Sequence, residues 1–373
     1  MRHKSIHRIL IVLYSLAAEG TPILALDMAK EWRRHGIDFR VCTFKDSPAD
    51  LAEEFKQAGI EVESLGVRFA GYGKFPTLIW RIFKYCRRNR IDAVLSFPFG
   101  WHSYVAWGGK LAGAQKVVAH AGNYPPFNSQ GSIRRLRATL ALGRIWATHI
   151  ACCSDHVRDG VERLLHVPGE LLHTVYNGIN LQSFTNELRV HALHKPLRLG
   201  MVARFDRDQP TLIRAVSLLL QRGEEIHLDL VGDGGRRAEF ESLAKELGVH
   251  KHIRFTGVRR DIPELLREWD VFVFSVMPDE GLGIALIEAL ASGVPVIASD
   301  VGACREVLFS SSDGNLGELF PFGDAVALAD AILRFRSDPE LWWNRARRAS
   351  ASAQARFSIE SMADKYLRLL GAS

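Results

Sequence analysis

The sequence has few cysteines and no long apolar run. Five cysteines are spread over 373 residues. This odd number lacks the paired spacing of a disulfide framework, so a disulfide-stapled secreted domain is excluded and a reducing compartment is expected. No stretch reaches the roughly 18 to 20 apolar residues of a membrane-spanning helix. The basic start resembles a signal peptide, but its apolar run from Ile9 to Leu13 is short and predicts a buried strand instead.

Positive charge is concentrated in the first half. Residues 1–187 contain 24 Lys and Arg against 16 Asp and Glu, whereas the remainder contains 24 against 26. Basic clusters at 81–90 and 134–137 are compatible with solvated helix faces, nucleic acid, anionic lipid or an acidic substrate. The segment from Arg134 to Trp146 mixes arginine with Leu, Ile and Trp, a composition typical of interfacial helices. It favours weak contact with an anionic membrane surface, and no nucleic-acid partner is expected.

Short apolar runs alternate with amphipathic segments in two series. The runs lie at 9–13, 38–44, 93–97, 116–120 and 149–153 in the first half, and at 197–203, 227–231, 252–256, 271–275, 295–299 and 317–320 in the second. This alternation is typical of parallel sheets with helices on both faces. The chain is also long enough for two ordinary domains. The sequence therefore predicts an α/β fold of two doubly wound, Rossmann-like domains.

The boundary between these domains is predicted in the polar, turn-rich stretch 177–196. We assign residues 1–187 to the first domain and residues 195–355 to the second. The apolar residues of 357–370 have the spacing of an amphipathic helix, so residues 356–373 are expected to pack back on the first domain. Open parallel sheets bind ligands beyond the carboxyl ends of their strands, so we expect the two domains to face across a ligand-binding cleft.

One segment of the second half combines two carboxylates with two glycines and an apolar run. Glu280 and Glu288 are about 12 Å apart if the chain between them is helical. Carboxylates accept hydrogen bonds from sugar hydroxyls, and Gly281 and Gly283 allow backbone N–H groups to approach a diphosphate at a helix N-terminus. The pattern fits a nucleotide sugar. The alternative is a helix-start acid followed by a surface residue on an otherwise packed helix.

The residues from Glu280 to Leu308 read E-G-L-G-I-A-L-I-E-A-L-A-S-G-V-P-V-I-A-S-D-V-G-A-C-R-E-V-L. They resemble the E-x7-E signature of the retaining GT-B glycosyltransferases, in particular glycosyltransferase family four. Other segments follow in the family's order, among them L-D-L-V-G-D-G from Leu228, I-R-F-T-G-V from Ile253, V-A-H-A-G from Val118 and Y-N-G-I-N from Tyr176. The resemblance covers nearly the whole second half and extends more loosely through the first.

The resemblance implies a GT-B fold and a donor site on the second domain. Glu288 would hold the ribose hydroxyls and Glu280 the hexose hydroxyls. The backbone that would face the diphosphate is that of Gly281, Leu282, Gly283 and Ile284.

The resemblance also assigns groups around this donor. Gly257 and Val258 would lie beside the base, usually uracil. His120 would stand at the reacting face, although a core histidine satisfied by backbone is the alternative. Gly20 and Thr21 would line the diphosphate or acceptor pocket.

The chain departs from the family after the first strand of the second domain. The family usually has an Arg and a Lys that pair with the departing diphosphate. Arg204 fits the first position, but the lysine is missing, the loop is shorter, and Arg207 is the only nearby substitute. The loop contains a D-x-D of Asp206 and Asp208, a pattern that binds a divalent metal in another glycosyltransferase architecture. A helix-start role for Asp208 is favoured instead.

These features predict a retaining, metal-independent glycosyltransferase of the hexosyltransferase type. It would transfer a hexose or hexuronic acid from a nucleoside-diphosphate sugar, with UDP as the expected nucleotide, to a glycan or lipid-linked oligosaccharide in polysaccharide biosynthesis. The catalytic candidates are Glu280, His120 and Arg204. No cofactor beyond the UDP-sugar co-substrate is expected, and the protein is expected in the cytoplasm or peripherally at the inner face of the membrane.

Two other enzyme classes compete with this interpretation. A UDP-sugar epimerase on the same scaffold would turn over its substrate without an acceptor. A dehydrogenase would require G-x-G-x-x-G after a strand, whereas the segment from Val231 to Gly235 reads V-G-D-G-G.

Overall fold

The computed structural model describes residues 6–67, 74–126, 129–146, 148–184, 193–310 and 314–372. The chain forms two compact units, of which one comprises Met1–Gly178 with Ile359–Ser373 and the other Ile179–Ser358. The division falls at the beginning of the stretch that was predicted to contain the domain boundary.

The strands are β1 (Arg8–Leu13), β2 (Asp38–Thr43), β3 (Val62–Ser64), β4 (Ala93–Ser96), β5 (Lys116–Ala121), β6 (His149–Cys152), β7 (Leu172–Thr174), β8 (Leu197–Val202), β9 (Ile226–Val231), β10 (Ile253–Gly257), β11 (Val271–Phe274), β12 (Val296–Ser299), β13 (Phe309–Ser310), β14 (Gly314–Asn315) and β15 (Glu318–Phe320).

The α-helices are α1 (Gly20–Arg34), α2 (Ala52–Gln57), α3 (Lys74–Asn89), α4 (His102–Leu111), α5 (Gln130–Gly143), α6 (Asp155–Leu165), α7 (Gln209–Gln221), α8 (Arg237–Glu246), α9 (Ile262–Glu268), α10 (Ile284–Ser292), α11 (Gly302–Leu308), α12 (Ala325–Ser337), α13 (Pro339–Arg356) and α14 (Ile359–Leu370). Short 3₁₀ helices lie at Phe99–Trp101, Arg144–Trp146, Gly169–Leu171, Leu181–Ser183 and His250–His252. Among the described residues, no helix is both long enough and apolar enough to cross a bilayer.

Each unit is built around one parallel sheet whose strand order reverses once. The first sheet has the order β3-β2-β1-β4-β5-β6-β7 and the second β10-β9-β8-β11-β12-β15. The reversal falls at β1 in the first sheet and at β8 in the second, which is the doubly wound topology. The predicted α/β class and the two Rossmann-like units are confirmed. The edge strands β3 and β7 were not predicted, because each has three residues and no apolar run.

The last helix, α14, groups with the first unit. Its buried residues are Ile359, Met362, Ala363, Tyr366 and Leu370, which recur at helical spacing on one face. Trp32 of α1 donates from Nε1 to the Ala363 carbonyl at 3.2 Å. The helix is therefore held by apolar burial and by a hydrogen bond from the buried Trp32 ring.

A glycine in β8 makes room for the buried indole ring of Trp269. A Cβ at Gly200 would lie 1.9 Å from Cδ2 of Trp269. Trp269 is 1% exposed and donates from Nε1 to Oδ2 of Asp229 at 2.9 Å. Because this hydrogen bond and the surrounding core hold the ring in place, β8 tolerates no side chain at this position.

We expect Gly200→Ala to lower the free energy of unfolding by about 3 kcal/mol, because overpacking of a buried site forces ring and backbone shifts. Urea unfolding followed by circular dichroism would measure the change. Gly235→Ala is the matched control, since a Cβ at Gly235 meets no atom within 4 Å. Equal stability of the two variants would contradict the assigned packing.

Candidate active site

Two loops of the second unit leave the sheet where its strand order reverses. Residues 203–208 join β8 to α7, and residues 275–283 join β11 to α10. Because β8 and β11 are parallel neighbours, both loops leave the same edge of the sheet. This edge is where doubly wound folds bind their ligands.

Asp208 is a buried carboxylate that connects both loops. Its Oδ1 accepts a hydrogen bond from Oγ1 of Thr211 at 2.8 Å, and its Oδ2 accepts one from Oγ of Ser275 at 3.1 Å. Burial raises the pKa of the Asp208 carboxyl, and these hydrogen bonds oppose the rise. The predicted helix-start position agrees with its place directly before α7.

The loop after β8 is a tight turn built on one carbonyl group. The backbone N–H groups of Asp206 and Arg207 both donate to the Arg204 carbonyl, at 2.8 and 3.4 Å. The fully buried Gln209 donates to the same oxygen from Nε2 at 2.8 Å. Three donors on one acceptor fix the course of this loop.

The ends of β8, β9 and β10 pack backbone against backbone. Gly232 follows β9 with φ +132°, and a Cβ there would lie 2.1 Å from the Ala203 carbonyl oxygen. The Gly232 N–H donates to the Gly257 carbonyl at 2.9 Å, and Gly257 itself has φ +74°. Val258, which follows, is 52% exposed. Gly257 and Val258, which were predicted to lie beside the base, are therefore at the carboxyl end of β10, and the Val258 side chain is exposed to solvent.

Glu280 is a buried carboxylate that faces a guanidinium group. It is 7% exposed, and its Oε2 lies 3.5 Å from Nε of Arg207. Burial raises the pKa of Glu280, and the charge of Arg207 partly offsets the rise. Arg204 forms an ion pair with Asp206, whose Oδ1 lies 3.9 Å from Nε of Arg207. The predicted donor-site groups Arg204, Arg207 and Glu280 are thus linked at one sheet edge.

Helix α10 begins at Ile284 rather than at Glu280. Gly283 is its N-cap, and a Cβ there would lie 2.3 Å from Cζ of Phe274. Glu280 therefore belongs to the loop, and the separation of about 12 Å for a fully helical segment does not apply.

The diphosphate-facing residues of the prediction surround this helix start. Gly281 and Leu282 are buried, whereas Gly283 and Ile284 are half-buried. The first N–H groups of a helix have no acceptor within the helix, so they are available to an anion. Glu288 is half-buried in the second turn of α10.

His120 lies at the carboxyl end of β5 in the first unit and is 2% exposed. Its Nδ1 is 2.6 Å from the Tyr366 hydroxyl, and its ring centroid is 4.9 Å from that of Phe97. Burial lowers the pKa of His120 to about 4, so its imidazole is neutral at pH 7. The alternative from the sequence was a core histidine hydrogen-bonded to the backbone. In the structure, the partner of the His120 ring is the side-chain hydroxyl of Tyr366.

Gly20 and Thr21 are the first residues of α1, and both are exposed. This helix follows β1, whose carboxyl end lies at the same edge of the first sheet as that of β5. Gly20, Thr21 and His120 therefore lie at the same edge of the first sheet.

Two family models match the chain. Glycosyltransferase Family 4 matches residues 18–183, and Glycosyl transferases group 1 matches residues 184–356. The chain belongs to glycosyltransferase family four. This family-four enzyme is therefore a glycosyltransferase.

Known proteins resemble this family-four chain along most of its length. EpsF of Bacillus subtilis (strain 168), named as a glycosyltransferase, is 27% identical over 315 residues and covers 79% of each chain. Phosphatidyl-myo-inositol mannosyltransferase of Mycobacterium leprae (strain TN) is 32% identical over 205 residues, 52% of this chain and 51% of the relative. The structure of Anabaena Alr3699/HepE in complex with UDP and glucose superposes with a TM-score of 0.84 at 21% identity, covering 99% and 100% of the two chains. These similarities establish the GT-B fold.

Two residues that support the loops after β8 and β11 were not predicted from the sequence. Gln209 was not assigned, because no local sequence pattern marks its hydrogen bond to the Arg204 carbonyl. Ser275 was placed only in an apolar run, although a serine directly after a buried strand suggests a loop anchor. Among the described residues, no group of three or more His, Cys, Asp or Glu is arranged to hold a metal ion.

We expect acid to destabilise the protein through its buried histidines. Burial lowers the pKa of both His120 and His102 to about 4. The unfolded chain therefore binds these protons first, and stability falls as pH drops from 6.5 towards 4, by up to about 1.4 kcal/mol per pH unit for each histidine. Urea unfolding between pH 7 and 4.5 would measure this slope.

A substitution separates the contribution of His120 from the destabilisation that acid causes through other groups. His120→Asn retains a polar atom near the Tyr366 hydroxyl and should make the slope shallower, whereas the exposed-site control His250→Asn should not. An unchanged slope in His120→Asn would contradict the assigned burial.

Proposed function

We propose that this family-four enzyme is a retaining glycosyltransferase that transfers a hexose or hexuronic acid from a UDP-sugar to a glycan or lipid-linked oligosaccharide in polysaccharide biosynthesis. The observation that carries the proposal is the buried Glu280 facing Arg207 directly before the N-terminus of α10. This arrangement combines an acceptor for sugar hydroxyls with positive charge for a diphosphate. The similarity to HepE, whose structure contains UDP and glucose, supports the choice of nucleotide.

The donor is proposed to lie along the carboxyl edge of the second sheet. Glu280 accepts hydrogen bonds from the hexose hydroxyls, the N-terminus of α10 faces the diphosphate, and Glu288 holds the ribose. The base lies beside Gly257 and Val258. Since β10 and β11 are three strand spacings apart in the sheet, about 14 Å, this edge is long enough for a nucleotide sugar.

The proposed chemistry depends on charge that develops as the donor bond breaks. Negative charge grows on the departing diphosphate, where Arg204, Arg207 and the helix N-terminus stabilise it. These fixed positive groups take the part that a divalent metal plays in other architectures, so the transfer is proposed to be metal-independent. The acceptor hydroxyl attacks from the same face as the leaving phosphate, which retains the anomeric configuration. Glu280 acts by binding, unlike the paired carboxylates of a glycosidase.

The first unit is proposed to bind the acceptor. By the family resemblance, His120 contacts the reacting sugar, and Gly20 and Thr21 line the diphosphate or acceptor pocket. A neutral imidazole suits this role because it can accept or donate one hydrogen bond without placing a positive charge beside the developing cationic sugar ring. The relative LpsD of Rhizobium meliloti (strain 1021), a lipopolysaccharide core biosynthesis glycosyltransferase, supports a surface-glycan acceptor.

A panel of nucleotide sugars tests the proposed activity. Binding would be measured for UDP-, GDP- and ADP-linked hexoses and hexuronic acids, with and without added EDTA. The best donor would then be followed by NMR for hydrolysis and for transfer to glycan acceptors. We expect UDP-sugar binding that EDTA does not change, and an α-linked donor that yields an α-linked product. Conversion to an epimer without acceptor would favour the UDP-sugar epimerase instead.

We expect Glu288→Ala to weaken UDP binding at least about 10-fold, because it removes charge-assisted hydrogen bonds to the ribose. Arg204→Ala should chiefly lower kcat, by about 100-fold, because its contact strengthens as charge develops on the diphosphate. Calorimetry and initial rates would separate the two effects.

The control for these variants is Glu246→Ala, which alters an exposed glutamate of α8. It should leave both UDP affinity and kcat unchanged. Wild-type UDP affinity in Glu288→Ala would count against the ribose assignment.

We also propose that the first unit contacts an anionic membrane peripherally, on the cytoplasmic side. In α5 and the 3₁₀ turn after it, Arg134 and Arg144 are exposed, as are Leu142 at 52% and Ile145 at 64%. Trp146 is instead half-buried, with its ring centroid 5.2 Å from that of Trp107. The aliphatic and basic residues, rather than the tryptophan, therefore form the proposed contact surface.

Co-sedimentation with vesicles tests this surface. We expect binding to phosphatidylglycerol vesicles at low salt that falls with rising salt, and little binding to phosphatidylcholine. The double variant Leu142→Ser, Ile145→Ser should bind less, whereas the exposed-leucine control Leu341→Ser on α13 should bind like the wild type. Absence of wild-type co-sedimentation at low salt would overturn the proposal.

A further inference from the structure

The proposed diphosphate site already contains an anion supplied by the chain. Asp206 lies between the two arginines of the loop, paired with Arg204 through one oxygen and 3.9 Å from Nε of Arg207 through the other. The same Nε of Arg207 is 3.5 Å from Glu280. Each arginine thus has a carboxylate partner, and their positive charge is largely balanced within the loop region.

Asp206 carries its charge at every pH at which such an enzyme works. Burial opposes its ionisation, but the Arg204 hydrogen bond and the charges of Arg204, Arg207 and Arg236 together lower the pKa of its carboxyl. A carboxylate held in this way repels a diphosphate that approaches the same guanidinium groups.

The hydrogen bonding of Asp206 is incomplete. Among the described residues, its Oδ1 is buried and has no hydrogen-bond partner, although a carboxylate oxygen can accept two. Such a buried, unsatisfied oxygen is costly and is uncommon outside functional sites. The turn cannot relieve it by moving its backbone, because the Asp206 N–H and Gln209 Nε2 both hold the Arg204 carbonyl. Rotation of the Asp206 side chain would release the arginines without moving this backbone.

We propose that Asp206 is a positioning residue that holds the guanidinium groups of Arg204 and Arg207 in the unliganded site and competes with the donor's diphosphate for them. This inference rests on the proposed UDP-sugar site. Its consequence is weaker binding of UDP and therefore faster product release. The side chain swings away when the diphosphate enters and returns when UDP leaves.

The test compares Asp206→Asn, which keeps shape but removes charge, with the wild type by calorimetry. The probes are inorganic pyrophosphate, UDP and uridine. We expect Asp206→Asn to bind pyrophosphate and UDP about 10-fold more tightly, with a steeper dependence of affinity on salt concentration, and to bind uridine unchanged. Asp206→Glu keeps the negative charge and should bind pyrophosphate and UDP with affinities close to those of the wild type. A purely structural role would instead weaken all three ligands together.

The control is Asp330→Asn, which removes the carboxylate of an equivalent ion pair with Arg222, 2.6 Å long, at the far end of α7. It should bind all probes like the wild type. Asp206→Ser provides a second neutral variant if Asp206→Asn does not fold, with folding checked by circular dichroism.

Failure of the inference is distinguishable from failure of the proposed function. Pyrophosphate affinity that is unchanged or reduced in both neutral variants overturns the inference, whether or not UDP binds. Tighter pyrophosphate binding without detectable UDP binding by any variant supports the role of Asp206 and overturns the choice of UDP as the donor nucleotide.

Discussion

The loops after β8 and β11 depend on one buried carboxylate. Burial of the Asp208 carboxylate requires hydrogen-bond donors, and it finds them in Thr211 and Ser275, on two segments that are separate in sequence. Satisfying this carboxylate therefore brings the loops after β8 and β11 together. The 3.5 Å approach of Arg207 to Glu280 follows from this arrangement, because each residue lies on a segment that Asp208 anchors. A rigid support of this kind suits electrostatic stabilisation, which requires charges to be in place before the reaction.

The shortened loop after β8 determines where the guanidinium group of Arg207 lies. The turn closes on the Arg204 carbonyl, and this brings Arg207 back towards Glu280 and Asp206. A guanidinium group keeps its charge when buried and can contact several oxygens in one plane, whereas an ammonium group acts as a point charge. The arrangement also brings two carboxylates close to one arginine. The charge of the site is therefore set by the balance among these groups rather than by Arg207 alone.

The fold was predictable because its strands are nearly continuous apolar runs. β11, for example, has four consecutive buried residues, and its observed bounds fall within the predicted run at 271–275. The E-x7-E segment was also visible, although the start of α10 was not, because Gly283 is packed against Phe274 by tertiary contact rather than by a local signal. Asp208 was predicted at a helix start but not as a link to Ser275, since 67 residues separate the two. Hydrogen bonds between residues so far apart in sequence depend on the order of the strands in the sheet, which the sequence does not specify in detail.

The first unit shows the same dependence on distant sequence. His120 is placed by β5, but the hydroxyl beside it comes from Tyr366, 246 residues later, on a helix that follows the whole second unit. Without α14, the buried Nδ1 would lose this partner and the Trp32 indole would lose its acceptor at Ala363. A polar group buried without a partner costs free energy comparable to a lost hydrogen bond. The last helix is therefore part of the first domain's core, and residues 1–178 alone would leave the imidazole without its hydroxyl partner and the apolar surface beneath α14 uncovered.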